Sequence, residues 1–294
     1  MDNQLLSRRV SFRFAAVTLL LAIIISGCAP RIRKPARFCR GAESAGESLK
    51  KLQMQARRAV SLKANGSCVA KFSIDGKKST EHFLVKIWVN PPDRVRLHGD
   101  VAFNAKGIDL GSNKDEFWLS MKPKEIGNSY YWGRWSQQNA SETMVFNPKT
   151  LLEALGMVAV DSNENDTENW LFSSQGSLDI LTKQAAGTES KKIYISNCDY
   201  LVERIEYFDS DGKVAVLTKL DKYEKLSDGF FVPTMITIVS YIDDGIENSF
   251  SINFKSIESV SFDDRKQEVY FTRPEPRQFE HIYKIVDGNA IEEQ

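Results

Sequence analysis

The spacing of apolar and polar residues divides the chain into an N-terminal apolar run, a helix and a long series of strands. Phe14 to Ile25 carries no charge and is dominated by Ala, Val, Leu and Ile. Its 12 residues fall short of the roughly 20 that a spanning helix needs, and match the core of a secretion signal. A helix is expected over 44–60, where Leu49, Leu52, Ala56 and Ala59 or Val60 recur at helical spacing. Ser44 and Glu47 make a capping box at its start, and Arg57 and Arg58 suit the carboxyl end of its dipole. Asn65-Gly66 is read as its terminator.

Beyond that point the period is two. Strands are expected at 68–74, 81–89, 94–103, 116–121, 129–135, 170–173, 178–181, 193–195, 201–208, 214–223, 230–241 and 246–257. Asp75-Gly76, Asp211-Gly212 and Asp243-Asp244-Gly245 are hairpin signals between them. A short helix over 147–155 interrupts the series, with Asn147 as N-cap, Pro148 in the first helical position and Gly156 as stop. Residues 161–168 read as a polar loop, and Pro274 and Pro276 end regular structure, leaving 273–294 as a loose tail. No strand–helix–strand alternation appears, so the class is mostly β with helices (α+β): a curved antiparallel sheet with helices on one face. The run 230–241 is apolar on both faces, Phe231, Met235 and Val239 against Phe230, Val232, Ile236 and Ile238. Its concave side therefore calls for helices or a ligand.

Composition narrows the class. At 42% hydrophobic and 27% charged residues, the chain is neither disordered nor a polytopic membrane protein. Equal numbers of Lys+Arg and Asp+Glu, 39 each, argue against a nucleic-acid partner. The zero balance conceals two opposite parts. Arg31, Arg33, Lys34, Arg37 and Arg40 fall in a stretch without acids, while from Gly41 onward 31 basic residues stand against 38 acidic ones, a net −7. Basic residues beside an anionic membrane attract at about 1 kcal/mol each. A solvated linker reads equally well.

The N-terminus carries an address. Arg8, Arg9 and Arg13 precede the apolar run, which ends in Ile25-Ser26-Gly27-Cys28. This resembles the bacterial lipobox, in which an aliphatic and two small residues precede a cysteine. The resemblance implies removal of 1–27, diacylglycerol on the Cys28 thiol, and a basic tether over 28–43. The plainer alternative is an ordinary signal with a coincidental cysteine. Ala29 stands where an Asp would hold a lipoprotein at the inner membrane, so the outer membrane, facing the periplasm, is the expected location. Cys39, Cys68 and Cys198 remain; an oxidising compartment permits one bridge and one free thiol, and spacing does not choose the pair.

Catalytic chemistry finds no constellation. His82, His98 and His281 are not spaced for a metal, and neither a nucleophile elbow nor a phosphate loop occurs. No cofactor, no metal and no enzymatic activity are expected; a hydrolase with an irregular site ranks last.

The ordered run Val202-Glu203-Arg204-Ile205-Glu206-Tyr207-Phe208-Asp209-Ser210-Asp211-Gly212-Lys213, then Tyr223-Glu224-Lys225 and Asp228-Gly229-Phe230-Phe231-Val232-Pro233-Thr234-Met235-Ile236, resembles the lipoprotein-localisation (LolA/LolB-like) family. Pro92-Asp93-Arg94-Val95-Arg96-Leu97 followed by Asp115-Glu116-Phe117-Trp118-Leu119 is similar to its early hairpin. The similarity spans about 44–272. It implies an incomplete barrel closed by helices around an apolar cavity that takes acyl chains of lipids or lipoproteins. On that basis Val85, Ile87, Val95, Leu97, Phe117, Leu119, Ile205, Met235 and Phe254 are the expected lining, each of which plain core packing would also explain. Val101-Ala102-Phe103 is a poor match to the acceptor's protruding loop. The implied function is lipid or lipoprotein transfer at the outer membrane by a protein held there through its N-terminal lipid. The alternative is a structural or sensory lipoprotein that uses the same fold to bind another envelope protein.

Overall fold

The computed structural model describes residues 39–74, 77–101, 104–124, 127–137, 148–158, 168–185, 187–226, 228–242 and 246–293. Ile25, Ser26, Gly27 and Cys28, the Asp75-Gly76 and Asp243-Asp244-Gly245 turns, Ala102, Phe103, Asn147 and most of 161–168 lie outside the described residues.

Helix α1 (Ala45–Ala56) leads into six strands, β1 (Leu62–Ile74), β2 (Lys77–Asn90), β3 (Arg94–Val101), β4 (Asn104–Ser112), β5 (Glu116–Met121) and β6 (Ser129–Arg134). Helix α2 (Pro148–Ala154) precedes β7 (Trp170–Gln175), β8 (Leu178–Ala185), β9 (Thr188–Ser196), β10 (Val202–Phe208), β11 (Val214–Lys225), β12 (Phe231–Ile242) and β13 (Ile246–Ser259). Helix α3 (Asp264–Phe271), β14 (His281–Val286) and β15 (Asn289–Glu292) end the chain. All the strands form one sheet in the order β15-β14-β6-β5-β4-β3-β2-β1-β13-β12-β11-β10-β9-β8-β7. The sheet is large, curved and not closed into a barrel. Two meanders meet where β13 pairs with β1, and among the described residues every pairing is antiparallel except β14 with β6.

Period-two alternation assigns the faces. Ile87, Val89, Val95 and Leu97 point to one side and are fully buried, each worth about 1.5–3 kcal/mol of hydrophobic stabilisation. Ile193, Ile195, Ile205, Ile236, Ile252 and Phe254 continue this inner face across the second meander, where Leu49 and Leu52 of α1 and Leu151 and Leu152 of α2 join the same core. On the opposite side of β12, Phe231 is exposed and Met235 and Val239 are half-buried, so only the inner apolar set of that strand is fully covered.

Several boundaries differ from the sequence expectation. Asn65-Gly66 does not end a helix; it sits inside β1, at a register shift against β13. A Cβ on Gly66 would lie 2.3 Å from the Asn253 carbonyl oxygen, so a close backbone approach demands glycine there. The helix stops at Ala56, and Ser44 caps it by accepting from the Glu47 amide. Glu47 reaches back to the Glu43 amide rather than to that of Ser44, one residue beyond a standard capping box. Strand β4 has no counterpart in the expectation, because Lys106, Gly107 and Gly111 break its alternation.

The loose tail over 273–294 is corrected: His281–Val286 pairs with β6 and with β15, extending the sheet at one edge. Helix α3 was not expected either. It lies across the outer face of β2–β5 through contacts that are mostly polar and aromatic. Tyr270 stacks on Trp88 at 5.0 Å, Asn113 Nδ2 donates to the Phe271 carbonyl, and Tyr130 donates to the Pro274 carbonyl at 2.6 Å. Arg96 binds Asp109 through Nε at 3.0 Å and Nη2 at 2.6 Å, and its Nη1 donates to the Val269 and Tyr270 carbonyls in the last turn of α3.

Candidate functional site

Helix α1 is bolted to the second meander at its amino end. Cys39 and Cys198 form a disulfide across 159 positions of sequence. Asp179, fully buried on β8, accepts from the Ala42 amide at 2.7 Å. The Tyr200 hydroxyl lies 3.1 Å from both the Ser48 hydroxyl and an Asp179 carboxylate oxygen. Burial pushes Tyr200 up to about 12; the Ser48 hydroxyl pulls the other way, and the Asp179 carboxylate adds to burial. A Cβ on Gly41 would stand 2.3 Å from an Asp179 oxygen, so the chain passes this carboxylate only as glycine. Among the described residues Cys68 is the free thiol, buried in β1, and burial pushes its pKa far above the usual range.

Helix α2 closes with a Schellman motif. The Met157 amide donates to the Leu152 carbonyl, the Gly156 amide to the Glu153 carbonyl, and Gly156 takes φ +69°. This turn sets Leu155 and Val158 over the inner face of β9–β11.

Between α1, α2 and that face lies a pocket of about 210 Å³. Its apolar walls are Leu52 and Ala56 from α1, Leu155 and Val158 from the end of α2, Ile193, Ile205 and Leu220 from the sheet, and Phe230. Apolar cavities of roughly 150 Å³ already accept a small hydrophobic molecule. Exposed Arg58, Asp199 and Phe231 stand at its rim, so it communicates with solvent. Tyr223 fixes one wall, donating to the Val202 carbonyl at 2.6 Å; burial, with Asp199 and Glu203 adding to it, drives its hydroxyl far above its ordinary pKa.

Besides the rim residues, a buried ion pair intrudes on these walls. Lys191 on β9 has a side chain only 7% exposed, and its Nζ lies 2.8 and 2.7 Å from the two oxygens of Glu153 on α2. The Tyr207 hydroxyl donates to the same carboxylate, and the Lys191 ammonium stands 4.8 Å from the Tyr207 ring centroid.

Of the residues expected to line a cavity, Ile205 alone borders this pocket. Val85, Ile87, Val95, Leu97, Leu119, Ile205 and Phe254 share one buried core. Phe117 is buried at its margin, against Trp135 and over Gly133. Met235 stands on the opposite face, paired with Asn253 and Asp221. The sequence expectation passed over Lys191 and Glu153. A signal was present: in Lys191-Lys192-Ile193-Tyr194-Ile195, Lys191 shares the phase of the two buried isoleucines.

On the outer side of β9–β12 a wide, open groove of about 840 Å³ adjoins the rim at Leu201, Tyr223 and Phe231. Arg204 stacks 3.6 Å from the Tyr194 ring centroid, and the Tyr194 hydroxyl donates to Glu206. Among the described residues no cluster of His, Cys, Asp and Glu could hold a metal ion, and no helix is long and apolar enough to cross a membrane.

No protein-family model and no curated protein matches the chain. In fold it is similar to a putative outer-membrane lipoprotein-sorting protein domain from Vibrio parahaemolyticus, at 13% identity over 75% of this chain and 96% of that one, TM-score 0.48. It is similar to a LolA-superfamily protein from Nitrosomonas europaea, at 12% identity over 79% and 99%, TM-score 0.47. A DUF1329-family protein from Desulfovibrio piger is similar at 14% identity over 79% and 98%, TM-score 0.49.

Proposed function

We propose that the chain is a lipid-anchored protein of the bacterial cell envelope that binds an acyl chain of a lipid or lipoprotein in the pocket beneath α1 and α2. Binding, not catalysis, is its role. Cys28 carries the anchor, the basic stretch after it lies along the membrane, and the acidic body works in the periplasm at the outer membrane. The observation that carries the reading is the pocket: an apolar space reaching solvent beside Phe231, roofed by two helices on the inner face of an open sheet. Each methylene buried there gains about 0.8 kcal/mol, enough for a chain of modest length to bind measurably. Native mass spectrometry of the chain purified under mild conditions tests this. Added masses of lipid or acyl-chain size are expected, and a pocket that stays empty after incubation with envelope lipids overturns the reading.

A second reading, a protein partner, draws on the outer groove. There the exposed Phe231 and the Arg204–Tyr194 stack line one groove, and aromatic residues and arginine are the types that protein interfaces enrich. Substituting Tyr194 and Arg204, which line the groove and not the pocket, separates the readings: loss of a defined partner with lipid content unchanged supports the second.

A further inference from the structure

The ion pair in the pocket is an odd lining for a plain hydrocarbon chain. Charges removed from water cost several kcal/mol unless every hydrogen-bonding position is used. An ammonium has three N–H donors. Two of those on Lys191 are taken by Glu153, and no second acceptor stands against its Nζ among the described residues. The Tyr207 ring flanks the ammonium, and the Tyr207 hydroxyl is committed to Glu153. One donor of a side chain more than nine-tenths buried is thus left beside an apolar pocket that Lys191 itself lines.

The charge balance selects the ligand group. Lys191 and Glu153 cancel, so the pair recruits no counter-ion, and a carboxylate entering the pocket would meet the Glu153 charge. A neutral acceptor meets no such opposition. We propose that the pocket recognises the carbonyl oxygen of an ester- or amide-linked acyl chain, with Lys191 as the donor. This rests on the acyl-chain reading above and sharpens it. The ligand class is the O- or N-acyl group, in preference to a free fatty-acid anion or an alkyl ether. Leu155, Ile193, Ile205 and Phe230 receive the chain beyond the carbonyl.

The test uses displacement of a neutral environment-sensitive fluorophore by three single-chain ligands. These are 1-palmitoyl-lysophosphatidylcholine, its 1-O-hexadecyl ether analogue and palmitate, each below its micelle concentration. The ester is expected to bind roughly tenfold more tightly than the ether, as a hydrogen bond from a charged donor implies, and more tightly than palmitate. In the double variant Lys191→Met with Glu153→Gln, which leaves no charge unpaired, ester and ether should bind alike. Equal binding of ester and ether by the wild type overturns carbonyl recognition while leaving acyl binding intact. Failure of all three to bind overturns the acyl reading itself. A preference that survives the double substitution removes Lys191 from the role. Isotope-edited infrared spectroscopy of the ester, labelled with ¹³C at the carbonyl, needs no variant: the bound band must shift to lower frequency than in hydrocarbon solvent, and an unshifted band refutes the hydrogen bond.

Discussion

Lys191 on β9 and Glu153 on α2 form the charged link between the inner face of the sheet and the helix that roofs the pocket, with Nζ 2.7 and 2.8 Å from the carboxylate oxygens. The pair lies 38 positions apart in sequence and joins elements that otherwise meet through Leu152 and Leu155. Breaking such a pair leaves a desolvated charge behind, whereas replacing both members need not. Lys191→Met alone is expected to cost about 3 kcal/mol, and Lys191→Met with Glu153→Leu markedly less. Chemical denaturation of the two single variants and the double variant measures the coupling; additive losses would show that the pair does not act as a unit.

The Cys39–Cys198 bridge closes a loop of 159 positions and ties the start of α1 to the turn after β9. Chain-entropy arguments assign about 5 kcal/mol to a loop of that size. Cys198→Ser should lower the denaturation midpoint accordingly and loosen the roof of the pocket, seen as faster amide exchange in α1. In the native chain Cys68 should resist thiol reagents and react only after unfolding, because it is buried and its thiol stays protonated. Rapid labelling of Cys68 in the native state would contradict its placement in the core.

Asp109 supplies a pH dependence on the outer face. Burial alone would raise its carboxyl, but the His98 ring, with Nε2 3.6 Å away, and the Arg96 guanidinium outweigh burial and hold the carboxyl at about 2. Its usual value is 3.8, so the native state binds the proton less readily than the unfolded chain does. The stabilisation is therefore present above about pH 4 and is lost as the pH falls through about 2, amounting to roughly 2 kcal/mol. Unfolding free energies between pH 5 and 2 should fall by this amount in the wild type. Asp109→Asn should start lower, because Arg96 loses its partner, and follow a flatter slope. Parallel slopes would place the acid sensitivity elsewhere.

Gly66 tests the seam where the two meanders meet. Gly66→Ala would drive a methyl group to 2.3 Å from the Asn253 backbone oxygen, a contact that no side-chain rotation can relieve. A loss of about 1–3 kcal/mol is expected. A similar glycine with open space around it, Gly212, has φ +75° and suffers from backbone conformation instead, so the pair separates crowding from dihedral strain. Neutral behaviour of Gly66→Ala would mean that β1 and β13 do not meet in this register.

The local parts of the fold were legible in the sequence. Strand β5 occupies 116–121 as expected, and the β10–β11 hairpin closes at Asp211-Gly212. Features decided by distant partners were not. Gly66 reads locally as a terminator, and only the approach of β13 makes it a strand residue. Helix α3 buries Phe271 alone and docks through Arg96, Trp88 and Asn113, so no apolar stripe announces it. The pocket follows the same logic. Ile205 was among the residues that the family resemblance implied, but Leu52, Leu155 and Phe230 come from three separate elements, the first of them tied down by the disulfide and Asp179 at the start of α1. Lys191 was visible as a charge in an apolar phase, although its partner Glu153 was not.

On the proposed function, an acyl chain occupies the space beneath α1 and α2. Photo-crosslinking with a long-chain lysophospholipid carrying a diazirine near its methyl end, followed by peptide mapping, measures this directly. The label is expected on peptides containing Leu52, Leu155 or Ile205 and should be suppressed by excess unlabelled lipid. Labelling confined to the outer groove around Tyr194 and Arg204, or spread over the surface without competition, would contradict the account.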